Sequence, residues 1–510
     1  MTGVDLNKIP GMPKIKGPWR YFDPDNFKRW PMGLAEREKD RNKIAASLEE
    51  AIVLSGLKSG QTISFHHHFR DGDYVVNMVM DKLAEMGFKN LTLAPSSLSD
   101  CHAPLVKHIK SGLIRRIETS GLRGRLADEI SRGLMEVPVI FRSHGGRAYA
   151  IESGALPIDV AFLGAPSCDP FGNANGFAMN GGGIMCGSLG YAKCDAQYAG
   201  KTVIITNNIE HYPNIPFGIP ESDVDYVVMV DAIGDPAGIM KGATRFTSNP
   251  KELAIAELAA DVIEASGRFT DGFSFQTGTG GASLAVTRFL REKMKAKGIS
   301  ASFALGGITG SIVSLLEEGL VKTLLDVQSF DMEAAASLKN NPSHHQISSV
   351  YYASPEGEGA AVNQLDAVVL SALEIDVDFN VNVLTGSDGV IRGAIGGHQD
   401  TACGSALTIV DCPLTRGRIP CIVDRVGAIC TPGKTVDVIV TEHGVAVNPQ
   451  RNDLKEKFAS ARIPIKPIEE LRNMAESITG KPDPVEYTDK VAGVITYRDG
   501  SVIDLIHQIK

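Results

Sequence analysis

Aromatic residues are few in this chain, 6% of 510 residues with two tryptophans, and its eight cysteines include no Cys-x-x-Cys pair. Four of them, Cys403, Cys412, Cys421 and Cys430, recur at a spacing of nine. An odd spacing along a strand turns successive side chains to opposite faces, so the set is read as buried free thiols rather than as a metal site. No apolar run reaches the roughly 20 residues needed to span a bilayer, and the opening MTGVDLNKIPGMPKIKGPW has no apolar core of the kind a secretory signal carries. A cytoplasmic location is therefore expected. A basic excess is absent too: 51 Lys and Arg stand against 60 Asp and Glu, for a net charge of −9, which leaves no electrostatic footprint for nucleic acid. Familiar nucleotide and hydrolase signatures are also missing. Gly278-x-Gly280-x-x-Ser283 lacks the third glycine of a dinucleotide turn, and neither a complete phosphate loop nor a Gly-x-Ser-x-Gly nucleophile elbow occurs.

What the chain does have is a glycine-rich turn between a strand and a helix. Phe273 to Arg288, FSFQTGTGGASLAVTR, passes from an alternating strand end through Gly278, Gly280 and Gly281 into a helical run. Such a turn lets the backbone approach a ligand closely, and the helix start offers unpaired N–H groups to an anion; the same pattern also serves tight packing. The first half of the chain repeats the unit. Thr62 to Phe69 leads through Arg70-Asp-Gly-Asp73 into the helical run Tyr74 to Met86 and the apolar run Leu91 to Ala94. Phe273 to Gln276 leads likewise into Leu284 to Lys297 and Ser300 to Leu305, and Ser111-Gly-Leu-Ile-Arg115 resembles Glu318-Gly-Leu-Val-Lys322. The offset is about 210 residues throughout. With 43% hydrophobic residues and a length too great for one ordinary core, the chain reads as two related α/β domains with mainly parallel sheets and a ligand cleft between them.

Taken in order, residues 1–40 form a Pro-, Lys- and Arg-rich arm on the surface or at a subunit contact. The first domain spans 41–240, opening on an amphipathic helix over Arg41 to Leu57 with Ala46, Leu48, Ile52 and Leu54 as core positions. Short apolar runs at Val137–Phe141, Val160–Leu163, Thr202–Thr206 and Tyr226–Val230 read as strands. The loop Ala165 to Gly190 is long enough to be functional or to pack on a neighbour. After a linker at Lys241–Asn249, the second domain spans 250–510, with a helix over Pro250–Ser266, a β-patterned segment Val436–Val447, a tail helix near Ile468–Ser477 and a short strand Gly493–Tyr497.

The triple His66-His67-His68 invites a metal, but in a strand only His66 and His68 share a face and the nearest acidic residue is Asp71 in the turn, so no metal site is assigned. With Arg70 they are better placed as donors to carboxylates, or as a hydrogen-bonded strand-end cluster. Further glycine turns occur at Gly306-Gly307-Ile-Thr-Gly310 and in Asp388 to Thr401, where Gly396 and Gly397 precede His398-Gln399-Asp400. Paired glycines can present N–H groups to a developing oxyanion, and the polar run can position an acyl donor or acceptor.

Ser64-Phe-His-His-His-Phe-Arg-Asp-Gly-Asp73, Gly164-Ala-Pro-Ser-Cys-Asp-Pro-Phe-Gly-Asn173, Gly393-Ala-Ile-Gly-Gly-His-Gln-Asp400 and Val440-Thr-Glu-His-Gly-Val-Ala446 resemble the citrate lyase alpha-subunit (citrate CoA-transferase) family, within the broader CoA-transferases, nearly end to end. The resemblance implies two tandem CoA-transferase-type, NagB/RpiA-like domains. Many CoA-transferases carry a catalytic glutamate in the second domain; laying Leu305-Gly-Gly-Ile-Thr-Gly310 over that motif puts Gly310 in its place. The resemblance therefore implies direct transfer. A citrate carboxylate attacks an acetyl thioester, a mixed anhydride forms, and the released thiolate attacks the citryl carbonyl, so that acetate leaves.

On this reading Gly396, Gly397, His398 and Gln399 serve the chemistry, and His66, His68, Arg70, Arg142, Arg147 and Arg392 are candidate citrate donors, although for each arginine taken alone a surface salt bridge is the more ordinary use. Gln276, Gly278, Gly280, Gly281, Gly306, Gly307 and Gly310 would meet CoA or the CoA-like prosthetic group of an acyl carrier subunit. The implied partners are a beta (citryl lyase) and a gamma (acyl carrier) subunit, with a homo-oligomer inside a larger complex. A transferase or thioester hydrolase using free CoA with another acid, and a scaffold without catalysis, remain open at this point.

Overall fold

The computed structural model describes residues 5–14, 17, 43–66, 68–179, 183–240, 247–278, 280–357 and 359–510. Most of the N-terminal arm, His67 and the first part of the linker lie outside the described residues.

Two sheets organise the chain. Ten strands form the first, in the order Ile44–Ala45, Tyr226–Met229, Lys201–Thr206, Val160–Gly164, Thr62–His66, Leu91–Pro95, Ile114–Thr119, Val139–Phe141, Tyr487–Thr496, Val502–Ile509. Eight form the second, in the order His344–Gln346, Leu324–Ser329, Phe303–Ile308, Ser274–Thr277, Ala367–Ser371, Thr408–Asp411, Val438–Thr441, Gly444–Val447. Every pairing is parallel except the hairpin that closes each sheet. The central strands are buried on both faces, as parallel strands covered by crossover helices must be, which is why Thr62–His66 and Leu91–Pro95 show no exposed residue.

The internal repeat is realised strand by strand. From Tyr226–Met229 to Ile114–Thr119 the first sheet runs through six strands in the same order as the second from Val438–Thr441 to Leu324–Ser329. In each, the strand that opens the repeated unit, Thr62–His66 or Ser274–Thr277, lies in the middle with its glycine turn at the C-terminal end. The helix that follows the second turn, Gly281–Lys297, buries Leu284, Val286, Leu290 and Met294, places Lys295 and Lys297 in its last turn, and stops at Gly298 in the left-handed region at φ 65°. Each buried leucine there contributes about 2 kcal/mol relative to exposure.

The sequence pattern misplaces two elements. The opening helix covers only Leu48–Leu54, because Ile44–Ala45 pairs as an edge strand with Val227 and Val228, and Ser47 caps the helix by accepting from the Glu50 N–H. Leu48 and Ile52 are buried as expected, whereas Ala46 and Leu54 are exposed. The tail, counted with the second domain, sends Tyr487–Thr496 and Val502–Ile509 back to extend the first sheet beside Val139–Phe141. Local alternation marks the Gly493–Tyr497 segment as a strand but carries no information about its partner. Residues 5–14 lie against the same hairpin, with Leu6 and Met12 packed on Val494, Val502 and Leu505. Of the four evenly spaced cysteines, Cys412, Cys421 and Cys430 are buried and free, but Cys403 is exposed near the end of the helix His398–Gly404.

Candidate functional site

The strands of a parallel sheet release their chains at one edge, and ligands gather there. Here the C-terminal edges of both sheets face one cleft. Arg70, Ser97, Ser120 and Arg123 come from turns after strands of the first sheet, with His144 and Tyr191 from helix starts behind them. The second sheet supplies Gln276, Thr277, Gly278, Gly280, Gly307, Gln328, Phe330, Leu370 and Ser371, and the loop Ala394 to His398 closes the remaining side. The cavity is about 260 Å³, the scale of a small molecule or the reacting end of a longer one.

The Ala394–His398 loop belongs by sequence to the second half, yet it is stitched to the first. Leu122 N–H donates to the Gly393 carbonyl at 3.0 Å, Ile395 N–H to the Ser120 carbonyl at 2.8 Å, and His144 N–H to the Gly396 carbonyl at 2.9 Å. Behind it the buried Asp400 carboxylate accepts from Ser143 Oγ at 2.9 Å, Gly145 N–H at 2.9 Å and Arg498 Nε at 3.1 Å. These bonds fix the loop's height over the cleft. The Gly396 and Gly397 N–H groups donate to no protein acceptor among the described residues, and Gly396 lies at φ 57°.

Cationic charge is concentrated in two residues. Arg70 stands at φ 55°, a left-handed conformation uncommon outside glycine, and its guanidinium lies 4.7 Å from the centre of the Phe330 ring. Burial, together with the neighbouring Arg123 charge, pushes the Arg70 pKa down to about 10, with Asp71 opposing. Arg70 remains a cation at neutral pH, held where a bound anion would relieve both effects. Neither Arg70 nor Arg123 makes an ion pair among the described residues. Three more groups in the cleft wall have no hydrogen-bond partner: Ser120 Oγ, Thr277 Oγ1 and Gln328 Nε2. Orphaned donors beside unpaired guanidiniums are the chemistry of a site for a polyanionic oxygen ligand. No aspartate or glutamate is among the described residues that line it.

A family model described as "Citrate lyase, alpha subunit" matches residues 41–509. The chain belongs to the citrate lyase alpha-subunit family. It is 61% identical to the citrate lyase alpha chain of Klebsiella pneumoniae over 480 residues, covering 94% of each chain. It is 60% identical to that of Escherichia coli strain K12, covering 93% of this chain and 92% of the relative. A solved structure of the alpha subunit of citrate lyase from Streptococcus mutans, in complex with citrate, superimposes with a TM-score of 0.93 at 55% identity, covering 96% of each chain.

For a member of this family the sequence-derived candidates divide sharply by position. Arg70, Gln276, Gly278, Gly280, Gly307, Gly396, Gly397 and His398 are brought together in the cleft wall. His66 and His68 lie one layer behind it. Their rings meet edge to face at 4.2 Å, His66 contacts Tyr191 at 5.2 Å and Ser96 Oγ at 2.6 Å, and burial pushes the His68 pKa down to about 3, so His68 brings no cation. His398 is also neutral, its pKa pushed to about 4 by burial, with its ring held between Thr431 Oγ1 at 2.7 Å and the Ser371 carbonyl at 3.2 Å.

The other three arginines are used elsewhere. Arg147 is buried and bidentate to Asp195, at 2.6 and 2.7 Å, and donates to the Ala94 carbonyl. Arg142 is paired with buried Glu118 at 2.9 Å. Arg392 is half exposed and paired with Asp388 four residues earlier. Gln399 is turned into the core, donating to the Cys430 and Thr496 carbonyls. Gly281 faces Glu252, Gly306 makes room for the Gln276 side chain, and a Cβ on Gly310 would meet the Glu333 carboxylate. None of these residues lines the cleft.

Two glycines of the cleft are there for space. A Cβ on Gly307 would stand 1.9 Å from Phe330, the ring that carries Arg70, and one on Gly280 would stand 2.1 Å from Ser371 Oγ. We expect Gly280→Val to raise the KM for the acetyl thioester about tenfold or more and to lower the melting temperature by several degrees, because its Cβ displaces Ser371 and the branch beyond it crowds the cleft. An unchanged thioester KM would remove this turn from the binding surface.

Sequence pattern did not single out Arg123, Ser120, Gln328 or Tyr352. The signal for the first three was present in the repeat: the matched pair Ser111–Arg115 and Glu318–Lys322 precedes the strands Ile114–Thr119 and Leu324–Ser329, and the residues just past the ends of those strands are Ser120 to Arg123 and, around the strand end, Gln328 to Phe330. Tyr352, which also lines the cleft, carried no such mark, since its hydroxyl is placed there by accepting from Gln276, 76 residues away.

Proposed function

We propose that the chain exchanges acetate for citrate on a thioester: acetyl thioester plus citrate gives citryl thioester plus acetate. The observation that carries this reading is the pair Arg70 and Arg123, unpaired at the edge of a cleft whose other free groups are hydrogen-bond donors. Citrate, the ligand named with the Streptococcus mutans relative, carries three carboxylates at neutral pH, and the arginines supply the countercharge.

The chemistry needs no nucleophile from the protein. A citrate carboxylate oxygen attacks the acetyl carbonyl carbon, the C–S bond breaks, and the electron pair leaves on sulfur, giving a mixed acetyl-citryl anhydride and a thiolate. The thiolate attacks the citryl carbonyl and acetate departs. Each attack places negative charge on a carbonyl oxygen, and the Gly396 and Gly397 N–H groups are unspent donors at the cleft surface, worth about 3 kcal/mol each when aimed at such an oxyanion. Holding carboxylate and thioester in one cavity supplies the proximity that a covalent enzyme intermediate would otherwise provide. Gln276, Gly278, Gly280 and Gly307 would receive the end of a CoA-like arm, and that arm's chemistry is the thioester itself. The arm belongs to an acyl carrier subunit, and a beta subunit cleaves the citryl product, in a cytoplasmic complex containing several copies of this chain. Among the described residues no helix is long and apolar enough to cross a membrane.

The test is mass spectrometry. The purified chain mixed with acetyl-CoA and citrate, and in parallel with acetylated carrier subunit, is expected to yield citryl thioester and free acetate. Incubation with acetyl thioester alone is expected to leave the intact-protein mass unchanged. A protein-bound thioester or acyl adduct would overturn direct transfer, and no citryl product with either donor would overturn the transferase reading.

A further inference from the structure

The strand Thr408–Asp411 ends on a carboxylate that the exchange chemistry above does not use. Asp411 is buried, paired across the sheet with Ser371 in the register of the parallel ladder. Its Oδ2 accepts from Ser283 Oγ at 2.6 Å, and Ser283 Oγ lies 2.7 Å from Ser371 Oγ. Ser283 is fully buried in the first turn of the helix Gly281–Lys297, whereas Ser371 lines the cleft beside Gly278 and Gly280. A short wire of hydroxyls thus joins an internal carboxyl to the surface that meets the thioester. Burial pushes the Asp411 pKa up to about 7, against hydrogen bonds from Ser283 and Ser371 and the charge of Arg416, with Glu252 adding to the rise. Arg416, Glu252 on the helix Pro250–Ala265, and the neutral His398 ring against the Ser371 carbonyl are the charged or titratable groups that face the trio.

We propose that Asp411 is a positioning residue that sets, directly and through Ser283, whether the Ser371 hydroxyl donates into the cleft, and that the donating state supports exchange by hydrogen-bonding the thiolate as it leaves the acetyl carbonyl. This deepens the transferase reading and rests on it. Hydroxyls carry one proton each, so the direction of the wire follows from its inner end. When Asp411 is protonated, its O–H donates to Ser283, Ser283 donates to Ser371, and the Ser371 O–H is left for the cleft. When Asp411 is ionised it accepts a hydrogen bond from the Ser283 O–H, the Ser283 oxygen accepts one from the Ser371 O–H, each proton staying on its own oxygen, and Ser371 lone pairs face the thiolate. No proton is transferred to sulfur. The C–S electron pair leaves on sulfur in either state, and only the first state offers that pair a donor. Ionisation therefore removes a favourable contact and substitutes a repulsive one.

The experiment is the pH profile of kcat for the full chain with acetyl-CoA and citrate, from about pH 5.5 to about 9. For the parent, kcat is expected to fall about tenfold on the alkaline side of a transition near 7, the range of the Asp411 carboxyl. Asp411→Asn, whose amide N–H donates at every pH, is expected to lose that transition. Ser371→Ala is expected to lower kcat about tenfold at the acid end, leave the KM for citrate unchanged and show no alkaline transition. The double variant should be no worse than Ser371→Ala alone. Retention of the alkaline transition in Asp411→Asn, or of the parent kcat in Ser371→Ala at the acid end, overturns the proposal. Should Asp411→Asn fail to fold, the Ser371→Ala profile decides on its own, since a transition that persists without the hydroxyl cannot act through it. Absence of exchange by the parent at every pH, with acetyl-CoA and with acetylated carrier subunit, would instead remove the transferase reading, and this inference with it.

Discussion

Replacing Arg70 by alanine is expected to raise the KM for citrate by about thirty- to a thousandfold and that for acetyl thioester by less than about threefold. The asymmetry follows from what the guanidinium has around it. Among the described residues its guanidinium meets the Phe330 face and makes one long 3.4 Å bond to the Ile239 carbonyl, so most of its hydrogen-bonding capacity is left for a ligand. Its left-handed backbone conformation and displaced pKa are costs that an anion in the cleft would offset. Arg70→Lys should recover part of the loss, because charge is kept while the fork geometry and the stacking on Phe330 are lost. Arg392→Ala is the natural control: its partner is Asp388 on the surface, and both kinetic constants should stay at parental values. Initial-rate measurements with each substrate varied in turn read all three variants. Equal increases in the two KM values for Arg70→Ala would place the residue outside the citrate subsite.

Arg147→Ala is expected to cost about 3 to 5 kcal/mol of stability, a far larger effect on folding than Arg70→Ala. The truncated side chain leaves Asp195 with no exposure, no bidentate partner and a full buried charge, and it leaves the Ala94 carbonyl without its donor. Denaturant or thermal unfolding of the variant measures the loss. A double replacement, Arg147→Met with Asp195→Leu, should regain most of it, since a well-packed apolar pair does not carry the desolvation penalty of an ion pair. A single variant with parental stability would refute the structural role. The contrast with Arg70 is the point: Arg142 and Arg147 were indistinguishable from Arg70 as citrate donors on sequence grounds, and what separates them is whether a buried carboxylate already occupies the guanidinium.

Several features were legible because they are local or repeated. Strand alternation, helix periodicity and the offset of about 210 residues depend on neighbours in the chain, and the matching strand order of the two sheets follows from that repeat. The turns after Thr62–His66 and Ser274–Thr277 were legible as belonging to the cleft edge for the same reason, since parallel strands deliver their turns to one edge. Gly310 was not, because a motif overlay gives position along the chain but not the fact that Glu333 fills the space in front of it.

By itself the sequence determined the class of fold, the existence of two α/β halves, the glycine turns at their strand ends, and, through its motifs, the family. Those properties reside in short-range spacing, which the chain carries whatever its tertiary partners. Only the tertiary structure decided which cations are free and which are spent, that His66 and His68 stand behind the wall rather than in it, that Gln399 points into the core, and that the last two strands return to the first sheet. It also decided that Asp411, Ser283 and Ser371, separated by up to 128 residues, meet as one hydrogen-bonded trio. Each of these is settled by a contact between distant segments, and burial, ion pairing and hydrogen-bond satisfaction exist only once those segments have come together.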